Sequence, residues 1–218
     1  MRGWKSPSCS SAHCKGQWQS PQGAGQPVLV YPGYLTTDTS TLRLRRSLNA
    51  AGYQAHGWQL GRNLGARADL LDRLGDSLLE VAQSSRAKVA LIGWSLGGIY
   101  AREVAKRHPD QVSLVMTLGS PFSGNIRANN AWRIYELLND HKVDRPPLDI
   151  DIAAKPPVRT LAVWSPRDGI VASAAARGEA WESDRQVDVP IRHLSLARQR
   201  QGIELIGRLL AEELSPPE

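Results

Sequence analysis

The stretch VALIGWSLGGIYAREVAKRHP, Val89 to Pro109, joins a strand-like apolar run to a helix-like repeat with hardly a residue to spare between them. Val89 to Ile92 is continuously apolar, as in a strand buried on both faces. Ile99, Ala101, Val104 and Ala105 then recur at helical spacing. Between the two stands Gly93-Trp94-Ser95-Leu96-Gly97, with a further glycine at Gly98. A strand that turns straight into a helix forces the turning residue into a strained backbone conformation, and neighbouring side chains larger than hydrogen collide with it. The serine at the tip is thereby lifted clear of the backbone. In this setting the G-x-S-x-G pattern describes a nucleophile elbow. The alternative is a structural turn with an idle serine, but loops that need only a polar residue do not need glycines on both sides of it.

Strand-like and helix-like segments alternate on either side. Pro27 to Tyr31 reads as a strand, Thr39 to Ala51 as a helix ended by Gly52, Tyr53 to Trp58 as a strand and Asn63 to Ser84 as a long helix. After the elbow, Val112 to Leu118 is a strongly apolar strand, a helix is expected over Asn129 to Asn139, and a Pro-rich connection runs from Arg145 to Pro157. Val158 to Trp164 and Val187 to Arg192 read as strands. Arg198 to Leu214 closes the chain as a helix whose apolar face carries Ile203, Leu205, Ile206, Leu209 and Leu210. Repeated βαβα units imply a parallel sheet with helices on both faces, and ligands in such folds bind beyond the carboxyl ends of the strands. Ser95 sits at such an end.

The 218 residues suit one domain, and 41% hydrophobic content is ordinary for a globular chain. Apolar runs are strand-sized, far short of the roughly 20 residues of a membrane-spanning helix, so no transmembrane segment is expected. The net charge of +6 comes from arginines scattered beside acids rather than gathered into one run, which argues against nucleic acid as a partner. Residues 1–26 are rich in Ser, Gly, Gln and Pro and lack periodicity, so they read as a flexible extension ahead of a domain over 27–218. The extension has no apolar stretch of about 7 to 15 residues, as a secretory signal requires, and a cytoplasmic location is expected. Cys9 and Cys14 lie there with His13 between them; zinc needs four ligands, so a disulfide or two free thiols fits better. No metal and no cofactor is expected.

A serine hydroxyl needs a histidine to take its proton and an acid to hold that histidine's tautomer. In an elbow fold they follow in the order serine, acid, histidine. Of the five histidines, His13 and His56 precede Ser95, His108 ends the elbow helix in Arg107-His108-Pro109, and His141 comes before any acid on a later strand end. His193, directly after the strand Val187 to Arg192, remains as the general base. The acid belongs after the preceding strand, where TLAVWSPRDGIV places Asp168 in a turn set by Pro166 and Gly169. An Asp-Gly turn with no other role is its bland alternative. Glu182 and Asp184 are rivals in a polar segment that reads as solvated. An oxyanion hole needs two backbone N–H groups. Leu96, after the serine, is one; the second is expected from Tyr34 in the loop YPGYLTTD, where Gly33 admits a close approach.

These segments resemble bacterial α/β-hydrolases of the lipase and esterase type. PVLVYPGY resembles the oxyanion strand and loop, IGWSLGGIYAREVA the elbow and its helix, and VMTLGSPFSG the next strand. WSPRDGIV resembles the acid loop and IRHLSLA the histidine loop, so the likeness runs from Pro27 to the end of the chain. It implies a Ser-Asp-His triad on Ser95, Asp168 and His193. Pro32-Gly33 stands where the family commonly has His-Gly, and no glycine follows His193 closely. The family's leading antiparallel strands have no counterpart, so the expected fold is a minimal, mostly parallel sheet of about six strands with a short cap over residues 123–157. Trp94, Trp132 and Tyr135 are the candidate substrate-binding residues, the last two in an apolar cap stretch that could equally well only pack onto the body. The activity implied is hydrolysis of a small-molecule or lipid carboxylic ester. An acyltransferase or thioesterase with the same triad is the alternative, and a non-catalytic binding module on the same fold is the third class.

Overall fold

The computed structural model describes residues 23–67, 69–124 and 152–215. Its strands are β1 (Pro27–Tyr31), β2 (Gln54–Gly57), β3 (Val89–Trp94), β4 (Val112–Leu118), β5 (Thr160–Trp164) and β6 (Arg185–Asp188). They form one sheet in the order β2-β1-β3-β4-β5-β6, and every pair is parallel. The helices are α1 (Asp38–Ala50), α2 (Leu70–Ser85), α3 (Leu96–Arg107), the short α4 (Ser173–Arg177) and α5 (His193–Leu196), and α6 (Arg200–Leu214).

The apolar runs of β1, β3 and β4 are buried on both faces, which is why they show no hydrophobic alternation. Successive side chains still point to opposite sides. Val28, Val30, Ala90, Ile92, Leu114 and Met116 pack against Leu44 and Leu48 of α1 and Ile203, Ile206 and Leu210 of α6. Leu29, Tyr31, Val89, Leu91 and Val115 pack on the other face, against Leu70, Leu74 and Leu78 of α2 and Tyr100, Ala101 and Val104 of α3. The two helix layers hold β3 at the middle of the sheet and present its carboxyl end between the loops that follow β1 and β4.

Of the boundaries that differ from those read in the sequence, three have a plain physical cause. Helix α2 begins at Leu70 rather than Asn63, because Gly65 takes φ 107° and Asn63 is committed to bonds with the β1–α1 loop. Strand β6 stops at Asp188: the Val189 N–H still reaches the Trp164 carbonyl at 2.9 Å, but Pro190 has no N–H to continue the ladder. Gly23 to Gln26, assigned by composition to the extension, are tied to the body. The Gly23 and Gly25 N–H groups donate to the Ala51 and Gly52 carbonyls at 2.7 and 2.8 Å, and Gln26 O accepts from Gln54 N at 3.0 Å.

The expected cap helix Asn129–Asn139, and with it Trp132 and Tyr135, lies outside the described residues, as do Cys9 and Cys14. The flanks of the cap stretch meet at buried Arg102 of α3. Its guanidinium lies 4.1 Å over the Phe122 ring and donates to the carbonyls of Ala153, Ala154 and Glu182 at 3.1, 3.3 and 3.0 Å. Among the described residues, no helix is long and apolar enough to cross a membrane.

Candidate active site

Strand β3 ends at Trp94 and α3 starts at Leu96, so Ser95 alone makes the turn, at φ 54° and ψ −124°. Space decides the residues around it. A Cβ on Gly93 would run into the Gly98 backbone, one on Gly98 into the Ser120 side chain, and one on Gly97 into the carbonyl oxygens of Tyr31 and Pro32. Without those side chains, the first turn of α3 presses against the ends of β1 and β3. The Ser95 N–H donates to the Leu118 carbonyl at 2.9 Å, and the residue stays half-buried. The positive end of the α3 dipole lies at this turn, with Leu96 in its first turn.

The loop after β1 closes on the elbow at Gly33, where a Cβ would sit 3.3 Å from Ser95 Cβ and 3.3 Å from the Trp94 ring. The Gly33 carbonyl accepts from the N–H and the hydroxyl of Thr36 at 3.1 and 2.7 Å, and Leu35 takes φ 60°. Fully buried Asn63 holds this loop from outside. Its side-chain amide donates to Pro32 O at 2.8 Å, its carbonyl accepts from Leu35 N at 2.7 Å, and its N–H donates to Thr36 O at 2.9 Å. Tyr34 lies within the segment so clamped. Nothing in the linear sequence marks Asn63, whose partners are some thirty positions away.

Asp168 and His193 are brought together from the loops after β5 and β6. His193 Nδ1 and Asp168 Oδ2 are 2.7 Å apart, and both residues are nearly inaccessible, at 3% and 5% exposure. Asp168 Oδ1 accepts the N–H groups of Ile170 and Val171 at 3.0 and 2.6 Å, which leaves Oδ2 aimed at the ring. A second bond, His193 N–H to Asp168 O at 3.1 Å, ties the two backbones. The turn is braced by Ser165, whose hydroxyl accepts from Arg167 N at 3.0 Å. Gly119, at the end of β4, closes in from the side: a Cβ there would lie 2.8 Å from Asp168 Oδ2 and 3.0 Å from His193 Nδ1. A crevice of about 560 Å³ opens beside the pair, lined in part by Ile170, Ile191, Arg192, Leu194 and Gln199.

Trp94, read as substrate-binding, is 2% exposed and belongs to the core around β3 and α6. Its indole N–H donates to the His193 carbonyl at 3.2 Å, and its ring lies 5.8 Å from the imidazole at a tilt of 35°. Packing of β3 turns this side chain inward, beneath the histidine. Of the two rival acids read as solvated, Asp184 is exposed and Glu182 is not. Glu182 is buried and accepts from Glu179 N at 2.6 Å. Asp184 accepts from the N–H and hydroxyl of Thr160 at 2.8 and 3.0 Å and pairs with Lys155 at 2.6 Å. Burial pushes the Asp184 carboxyl up, but the bonds from Lys155 and Thr160 outweigh it and hold the group below its usual value. Both acids serve the β5–β6 junction. Among the described residues, no three His, Cys, Asp or Glu side chains are grouped to hold a metal ion.

The chain matches solved structures over most of its length. A metagenome-derived lipolytic enzyme from work on LipS and LipT matches at a TM-score of 0.63 and 15% identity, over 88% of this chain and 94% of that one. The product of the lin2722 gene of Listeria innocua matches at 0.60 and 13%, over 89% and 96%. The monoacylglycerol lipase of Paleococcus ferrophilus matches at 0.58 and 15%, over 86% and 95%. The chain has the α/β-hydrolase fold. At these identities the likeness of the chain to the three is one of fold. No protein-family model matches the chain. One curated relative, the pimeloyl-[acyl-carrier protein] methyl ester esterase of Citrobacter koseri, is 36% identical over 72 residues, 33% of this chain. The match spans about a quarter of that relative's length (26%).

Proposed function

We propose that this α/β-hydrolase cleaves carboxylic esters through an acyl-enzyme intermediate on Ser95. The observation that carries the proposal is the buried His193–Asp168 pair at 2.7 Å, in the same cluster of strand-end loops as a serine held at φ 54°. With Nδ1–H donated to Asp168, the neutral imidazole keeps its lone pair on Nε2, the form a general base requires. Ser95 Oγ attacks the ester carbonyl while His193 accepts its proton. The negative charge that develops on the carbonyl oxygen is met by the N–H groups of Leu96 and Tyr34. The imidazolium returns its proton to the leaving alcohol, and the acyl group stays on Ser95. Water, activated by the same histidine, then releases the carboxylic acid and restores the serine. Asp168 holds the imidazolium throughout and is not itself protonated.

The methyl ester in the relative's name supports small ester leaving groups for this chain as well. A panel of p-nitrophenyl esters of increasing acyl length, run with the wild type and Ser95→Ala, tests the reading. Turnover that falls by several orders of magnitude in the variant, with the fold unchanged by circular dichroism, is the expected result. Equal inactivity of both proteins on every ester overturns it. Partitioning of the acyl group toward an added alcohol or amine at the expense of water would reassign the enzyme as an acyltransferase.

A further inference from the structure

Trp94 meets three parts of the site, the serine, the histidine and the loop after β1, and is part of none of its chemistry. It precedes Ser95 in the chain, its indole N–H donates to the backbone carbonyl of His193, and its ring faces the imidazole. On another side the ring packs against Gly33, with a Cβ there only 3.3 Å from it. The side chain is buried in the layer between β3 and α6, so it does not rotate away. A buried donor aimed at one carbonyl has no water to fall back on, and the His193 loop is therefore fixed to the elbow by a bond that costs free energy to break.

We propose that Trp94 is a positioning residue, which couples the elbow and the β1–α1 loop to the general base and so keeps His193 in register with both Ser95 and Asp168. This rests on the function proposed above, although the geometry it explains does not. The side-chain and backbone bonds to Asp168 at 2.7 and 3.1 Å tie His193 to the loop after β5, and Gly119 closes in beside the pair. The Trp94 bond adds the tie to the elbow. Without it the imidazole drifts relative to the serine, and its bond to the aspartate is distorted as well. Since proton transfer depends steeply on distance, a displacement of a few tenths of an ångström reaches kcat before it reaches substrate affinity.

Two replacements of Trp94 test the proposal: Trp94→Phe, and incorporation of β-(3-benzothienyl)alanine, which keeps the bicyclic shape and puts sulfur in place of the N–H. For both, kcat is expected to fall about tenfold or more while KM for a p-nitrophenyl ester stays within about twofold. The rate at which a fluorophosphonate labels Ser95 should fall in parallel. The low-field proton resonance of the His193–Asp168 bond should broaden or move. A change of KM and of acyl-length preference with kcat unaltered would return Trp94 to the substrate cavity and overturn the proposal. So would a lowered melting temperature with kcat and the resonance unchanged, which is what a purely structural tryptophan gives. If Trp94→Phe does not fold, the shape-preserving replacement decides. If the wild type hydrolyses nothing, the resonance still reports the coupling, so failure of the activity and failure of the positioning are told apart.

Discussion

Gly119→Ala is the sharpest probe of the Asp168–His193 pair, because it adds one methyl group at a point where the structure has no space for it. Gly119 has φ 57°, and its N–H donates to the Val163 carbonyl at 2.8 Å, which pins the backbone to the sheet. The new methyl carbon would stand 2.8 Å from Asp168 Oδ2, 3.0 Å from His193 Nδ1 and 3.2 Å from Leu196 Cδ1. Ordinary contact is about 3.5–4 Å, so the carboxylate or the ring must retreat by roughly half an ångström. Two separate effects follow. The left-handed backbone costs an alanine about 1–2 kcal/mol, which lowers stability alone. Separation of the pair weakens support for the imidazolium and should lower kcat about ten- to a hundredfold. Gly61→Ala is the control, since Gly61 has φ 75° with nothing within 4 Å of its added methyl. It should lose similar stability and keep its turnover. Urea midpoints and p-nitrophenyl ester kinetics on both variants separate the effects. A Gly119→Ala protein with wild-type kcat would refute the argument that this glycine is held open by the pair.

Asn63→Ala should loosen the loop that carries Tyr34, because Pro32 O and Gly65 N lose the side-chain amide they bond at 2.8 and 3.2 Å, while the backbone bond from Leu35 remains. A stability loss of about 1–3 kcal/mol is expected from the orphaned groups, read by urea denaturation, together with a lower kcat if the loop supplies an oxyanion donor. The Asp184 carboxyl is held below its usual value, so its contribution to folding is present above the ordinary carboxylate range and fades as pH falls through the lowered value. Asp184→Asn should therefore be less stable than wild type at neutral pH and converge with it on acidification, as followed by melting temperatures between about pH 7 and pH 3.

Much of the site was legible because its constraints are local. Three glycines around Ser95, an unbroken apolar run before it and a helical repeat after it require one particular turn, and that turn needs no distant partner. His193 and Asp168 were accessible by chain order, since each follows a strand at the same edge of a parallel sheet. The start of α2 was misplaced because Asn63, Leu64, Ala66 and Arg67 are compatible with a helix, whereas bonds from Asn63 to the β1–α1 loop and a left-handed Gly65 take the segment out of one. Asp184 is exposed, as its polar segment suggests, but its bonds to Thr160 of β5 leave no mark on its own neighbours in sequence, and the burial of Glu182 is likewise set by packing rather than by composition.

The sequence alone established the parallel sheet, the elbow and Ser95 as a candidate, because strand and helix periods and glycine tolerance are properties of short segments, and the order of strands along the chain added Asp168 and His193 as candidates. Tertiary structure decided the rest. It brought Asp168 and His193 to 2.7 Å, turned Trp94 from the cavity into the core beneath the histidine, and recruited Asn63 and Gly119 to hold loops from elsewhere in the chain. These are contacts between strand ends that only the closed sheet makes neighbours, and a one-dimensional pattern carries no term for them.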